Sequence, residues 1–114
     1  MAIAALYEGS ETITTTEHSC SGNTGSVGSI TTNAIVQVFL DLSAMGVSDQ
    51  YQIRIYEKCR SVDTQRVIYE SIITGPMAPT WVSPSLLLTE GWDVTLKKLA
   101  GTDRNLIWSI RAVN

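Results

Sequence analysis

Residues 91–113, GWDVTLKKLAGTDRNLIWSIRAV, carry the clearest structural signal in the chain. Trp92, Val94 and Leu96 alternate with Asp93, Thr95 and Lys97. After the break at Ala100-Gly101-Thr102-Asp103, Leu106, Trp108 and Ile110 alternate with Ile107, Ser109 and Arg111. A period of two puts each set on one face of a β-strand. Two such strands joined across Gly101 to Asp103 read as a β-hairpin with a three-residue loop. In that register Leu96 faces Trp108, Val94 faces Ile110, Thr95 faces Ser109 and Asp93 faces Arg111. Each pair type is favourable across a ladder, by roughly 0.2–1 kcal/mol relative to Ala–Ala. A slip of one residue would set Val94 and Leu96 against Ser109 and Arg111, so the pattern specifies a register. The loop fits less well, because such a loop prefers Gly last and Gly101 comes first.

The rest of the chain repeats this style. Ala2 to Tyr7 is a short apolar run, punctuated by Gly9-Ser10 and followed by the Thr-rich strand Glu11 to Thr16. Cys20 to Asn33 has three glycines and almost no apolar content, which predicts a flexible loop or arm. Ala34 to Leu42 is the strongest strand of the first half, with Val36, Val38, Leu40 and Leu42 on one face and Ile35 and Phe39 on the other. A connection follows, with one helical turn near Ala44-Met45 ended by Gly46. Tyr51 to Lys58 and Gln65 to Thr74 read as two strands around a turn at Cys59 to Thr64. In the second, Val67, Tyr69 and Ile73 share a face. Gly75-Pro76-Met77-Ala78-Pro79 breaks the chain. Trp81-Val82 before Pro84 suits a short edge strand, and Leu86 to Leu88 forms another. About eight short strands with frequent turn signals predict an all-β fold, a small antiparallel β-sandwich or jelly roll spanning 1–114 as one domain.

Composition narrows the function classes. A 114-residue chain is one domain by size. It buries on the order of 65% of its unfolded surface, so it needs neither disulfide nor metal to fold. Charged residues make up 17% of the chain, against a typical ~25%. Net charge is −3, and no Lys or Arg precedes Arg54. A nucleic-acid partner would call for a basic face, so none is expected. The acid-rich first half either solubilises the chain or steers a basic partner. No apolar run approaches the ~18 residues of a membrane span, and Met1-Ala-Ile-Ala-Ala-Leu6 lacks the basic start of a signal peptide. No Asn-x-Ser/Thr sequon is present. These features predict cytoplasmic synthesis with Cys20 and Cys59 as free thiols, a Cys20–Cys59 bridge being the alternative.

The chain offers little chemistry. His18 is the only histidine, and with Cys20 it makes an i, i+2 pair without further ligands at metal spacing. The same pair lacks the orienting third group of a nucleophile–base site. Glu57 and Glu70 fall on neighbouring strands, as some acid pair does in any domain this rich in carboxylates. Gly22, Gly25 and Gly28 precede no apolar helix and so make no phosphate loop. No enzyme activity, metal or cofactor is expected. Trp92 and Trp108 alternate in step with aliphatics and belong to the core. Trp81, beside prolines, and Tyr56, on the polar side of its strand, are interface candidates. His18 at the loop's edge and Asn23 within it join them.

The run IVQVFLDLSAMGVSDQYQIRIYEKC, then TQRVIYES, then PTWVSPSLLLTEGWDVTLKKLAGTDRNLIWSIRAV resembles small virion proteins of tailed bacteriophages, most of all capsid decoration, or cement, proteins. The likeness covers roughly residues 34–113. It rests on Phe39-Leu40-Asp41-Leu42, Ile55-Tyr56-Glu57-Lys58, Trp81-Val82-Ser83-Pro84-Ser85 and Gly91-Trp92-Asp93. The resemblance implies a β-sandwich on the exterior of a capsid, made in a host cytoplasm. It implies binding to the major capsid protein, self-association as a dimer or trimer, and stabilisation of the lattice. An arm at 20–33 that orders on binding fits that role. The alternative is a tail- or fibre-associated module that recognises host glycan, or another tail protein, through Trp81 and Tyr56.

Overall fold

The two alternating segments at the C-terminus form strands, but not with each other. A computed structural model describes residues 3–75 and 80–113. Its strands are β1 (Ile3–Ile13), β2 (His18–Ser19), β3 (Ala34–Asp41), β4 (Gln50–Glu57), β5 (Arg66–Thr74), β6 (Thr80–Val82), β7 (Leu86–Leu88), β8 (Asp93–Ala100) and β9 (Arg104–Val113). One antiparallel sheet runs β1-β9-β3, with β6 and β7 sharing the far side of β3; the other runs β2-β8-β4-β5. That order is a jelly roll, and no helix occurs among the described residues. Most of the break at 75–79 lies outside the described residues.

The core fills the gap between the sheets. Val36, Val38 and Leu40 of β3 and Leu106, Trp108 and Ile110 of β9 face Tyr51, Ile53 and Ile55 of β4 and Val94 and Leu96 of β8, and all of them are buried. The buried faces read from the alternation are correct, and the pairing is not. Leu96 lies opposite Ile53 and His18 in its own sheet. Trp108 lies opposite Leu40 and Gly9 in the other. The hairpin is therefore an arch that carries the chain from one sheet to the other at Gly101 to Asp103. Alternation fixes which face a residue takes, not which strand lies beside it, so both arrangements satisfy the same pattern.

What selects the arch comes from far upstream. The Asp49 carboxylate accepts from Thr102 N at 2.9 Å, Gly46 N at 2.8 Å and Arg104 Nε at 2.7 Å. Tyr51 Oη donates to the Thr102 carbonyl and accepts from Arg104 N, each at 2.7 Å. Gly101 takes a left-handed φ of 92° over Asp49. The backbone N–H groups of Gly46 and Thr102, with the Arg104 guanidinium, hold the Asp49 carboxyl down from 3.8 to about 2. A depressed folded-state value means that Asp49 contributes stability above the ordinary carboxylate range and loses it as pH falls toward the folded value. Melting temperature is thus expected to fall between pH 3.8 and about 2 more steeply in the wild type than in Asp49→Asn. Parallel slopes in thermal melts across that window would refute this role.

Three further departures have simple causes. Gly9 does not punctuate β1, which runs through it. A Cβ there would lie 2.9 Å from Cζ2 of Trp108, so the glycine makes room for the indole. In the connection before β4 the left-handed residue is Ser48, φ 72°, rather than Gly46. The register of β5 slips by one residue, leaving Ile68 unmatched between Tyr69, opposite Ile55, and Val67, opposite Tyr56. That bulge moves Val67 off the face it was expected to share with Tyr69 and Ile73.

Candidate interaction surface

The outward face of the β1-β9-β3 sheet carries an apolar row that no described segment covers. The ladders set Ile3 beside Val113, Val113 beside Ile35, and Ile35 beside Leu87, one residue from each strand. Ile3 is 76% exposed, Ile35 42% and Leu87 77%. The next row is Ala5, Arg111 and Gln37. The third is Glu8, Ser109, Phe39 and Val82, and the fourth is Ser10, Ile107, Asp41 and Thr80. The Arg111 guanidinium lies 3.8 Å over the Phe39 ring, which hides part of that ring and spreads the charge. A shallow groove of about 250 Å³ runs along Ile3, Val113, Ile35, Phe39 and Arg111. The β3–β9 ladder under this face has no register shift, so the face is regular.

The opposite outward face is mixed and partly covered, with Val67 and Ile72 of β5 exposed among its polar residues. The segment after β1 crosses it, and Glu17 accepts from both Tyr56 Oη and Thr95 Oγ1. Arg54 bridges Glu70 at 3.0 Å on the same side. Buried Asp93 accepts from Ser19 Oγ, Ser21 Oγ and Gly28 N, each at 2.6 Å, and from Val94 N at 2.8 Å. The arm expected at 20–33 is therefore tied down. Trp108 Nε1 donates to the Cys20 carbonyl and Trp92 Nε1 to that of Thr32, both at 2.9 Å. The Cys20 thiol is pushed well above its usual value, first by burial and then by the Asp93 carboxylate. Cys20 and Cys59 are not bonded; Cys20 is buried and Cys59 exposed.

The structure scatters the four residues singled out from sequence. Trp81 pairs with inward-facing Leu40 and packs against the core, its ring 6.5 Å from that of Tyr69. Tyr56 belongs to the other sheet, its hydroxyl engaged by Glu17. The two do not share a face, and so form no joint stacking platform. His18 and Asn23 do meet. His18 Nε2 donates to Asn23 Oδ1 at 2.7 Å, the His18 ring lies 5.7 Å from that of Trp108, and Asn23 adopts the left-handed φ of 53° that asparagine tolerates. Among the described residues, no three His, Cys, Asp or Glu side chains gather as a metal site. Sequence reasoning passed over Ile3, Leu87 and Val113. The available signal was the apolar pair Ile35 and Phe39 on the face of β3 turned from the core.

No protein-family model and no curated protein matches the chain. Solved structures do. A pilus protein of Bacillus endospore appendages, described as disulfide-linked pili, aligns over 98% of this chain and 87% of its own at 11% identity and a TM-score of 0.55. PirA aligns over 96% of both chains at 12% identity and 0.56. The Yersinia pseudotuberculosis-derived mitogen aligns over 99% of this chain and 86% of its own at 14% identity and 0.53. At such identities the likeness establishes the fold alone.

Proposed function

We propose that this chain is a virion structural protein of a tailed bacteriophage, a capsid decoration protein that acts by binding. It attaches to the outer lattice built by the major capsid protein and stabilises it. The observation that carries the reading is the uncovered apolar row Ile3, Val113, Ile35 and Leu87. Monomeric soluble proteins seldom leave a contiguous apolar face open unless something docks there. The resemblance over residues 34–113 supplies the kind of assembly, and a charge-poor β-sandwich suits a lattice staple. The glycan-binding alternative loses its support once Trp81 packs inward and Tyr56 is held by Glu17.

The test is a quantitative mass-spectrometric inventory of purified virions, joined to co-sedimentation of the purified chain with expanded capsids. The expected copy number matches a capsid lattice, and the expected binding saturates at a fixed ratio. A copy number matching tail symmetry, or no co-sedimentation, would overturn the proposal.

A further inference from the structure

We infer that the outer face of the β1-β9-β3 sheet takes an extended segment of the capsid protein that carries one carboxylate between two apolar side chains, with the carboxylate on Arg111. That the segment belongs to the capsid protein rests on the proposed function; its chemistry is read from the face.

Two hollows lie along the β3–β9 ladder, and Phe39 and Arg111 line both. The groove of about 250 Å³ lies between that pair and the apolar end at Ile3, Ile35 and Val113. The second hollow, about 210 Å³, lies beyond the pair, against Ile107, Ser109 and Thr80. Residues on one face recur about every 6.6 Å along a strand. The hollows sit about two such steps apart. Side chains i and i+4 of an extended chain therefore reach both, and side chain i+2 comes over Arg111 and Phe39. The β3–β9 ladder keeps one register over this length, whereas the β1–β9 ladder slips at Leu6.

The ridge between the hollows calls for an anion. Arg54, Arg60 and Arg104 each pair with a carboxylate. Arg111 has no such pair among the described residues. Its guanidinium lies 3.8 Å over the Phe39 ring, and Nε is 3.4 Å from Ser109 Oγ. Its neighbours in the row, Ala5 and Gln37, are neutral. Stacking on Phe39 holds the guanidinium flat, and a flat guanidinium offers two parallel N–H donors that match a carboxylate. Apolar walls beside it exclude water and strengthen such a pair.

The surroundings limit the segment to one acid. Glu8 and Asp41 line the second hollow, and the chain as a whole carries a net charge of −3. A run of carboxylates would set like charges against both residues, which is costly at an interface. An apolar side chain in each hollow avoids that cost.

The test titrates the full chain, labelled with nitrogen-15, with the capped peptide Leu-Thr-Glu-Thr-Leu. Saturable shifts are expected at the amides of Ile35, Gln37, Ser109 and Val113. Glutamine in place of the glutamate should weaken binding about tenfold. A peptide with glutamate at its first, third and fifth positions should also bind more weakly. Arg111 is exposed, so Arg111→Met should keep the wild-type melting temperature while its stem still covers Phe39. That variant should bind the glutamate and glutamine peptides alike. In co-sedimentation with capsids, Arg111→Met should bind about tenfold more weakly than wild type and Arg111→Glu about 100-fold. Equal binding of the two peptides by wild type, an unchanged preference in Arg111→Met, or octanoate binding as tightly as the glutamate peptide overturns the inference. An Arg111→Met chain that sediments with capsids as the wild type does overturns it and leaves the proposed function standing. A glutamate preference that Arg111→Met abolishes, beside a wild type that ignores capsids, upholds the carboxylate site and overturns the proposed function.

Discussion

Gly101→Ala is expected to destabilise the fold by about 3 kcal/mol, a drop in melting temperature of about 10 °C for a domain this size. Two costs combine. The residue sits at φ 92°, where a side chain is strained, and an added Cβ would lie 2.2 Å from Asp49 Oδ1 and 2.7 Å from Asp49 Cα. The second contact is with backbone, so no rotamer change relieves it. The arch must shift, and the bonds from Thr102 N and Arg104 Nε to Asp49 open with it. Gly25→Ala is the control. Its added Cβ meets nothing nearer than Thr16 Cγ2 at 3.5 Å and its φ is ordinary. That variant should stay within ~0.5 kcal/mol of wild type, as surface changes usually do. Thermal melts followed by far-ultraviolet circular dichroism compare the two. Equal melting temperatures would mean that the arch does not rest on Asp49 in this way.

The arch also shows how far the sequence could be read. Val94, Leu96, Leu106, Trp108 and Ile110 were legible as one buried set, because a period of two encodes facing. Their division between two sheets was not, because its determinants, Asp49 and Tyr51, lie some fifty residues upstream. Gly101 at the head of the loop was the local sign, since a three-residue hairpin loop wants its glycine last. Bulges at Leu6 and Ile68 were illegible for a related reason. A one-residue slip leaves composition unchanged and reverses facing beyond it, which is how Val67 was assigned to the wrong face. Trp81 was misread in the opposite sense. Its proline-rich neighbourhood suggests a surface, yet its register with Leu40 turns it inward. The apolar row was half legible through Ile35 and Phe39. Leu87 was hidden in Leu86-Leu87-Leu88, where alternation turns only the middle residue fully outward.

The second large effect lies at Asp93. Asp93→Ala is expected to cost about 3 kcal/mol, because four donors lose a buried acceptor. Two are hydroxyls, Ser19 Oγ and Ser21 Oγ, and two are backbone amides, Gly28 N and Val94 N. Two of the four, Ser21 and Gly28, belong to the segment that follows β2, and Ser19 lies in β2 at the sheet's edge, so the cost falls on that edge and segment more than on the rest of the sheets. Three readouts should therefore move together. The Gly28 amide should exchange faster with solvent deuterium. Trp92 and Trp108, whose Nε1 groups hold the carbonyls of Thr32 and Cys20, should shift their emission to the red. The thiol count should change as well. In the wild type only the exposed Cys59 is expected to react promptly, because Cys20 is buried with its thiol held well above the usual range. Removing the Asp93 carboxylate lowers that barrier, and opening the segment admits the reagent, so a second thiol should titrate in Asp93→Ala. Asp93→Asn keeps one acceptor oxygen, and should fall between the two. A variant that melts lower yet keeps its slow Gly28 amide and a single reactive thiol would show that Asp93 stabilises the sheets and not the covering segment. The segment's order would then rest on its other bonds, those of the Trp92 and Trp108 indoles and the backbone pairs of Cys20 with Val94 and Ile30 with Trp92.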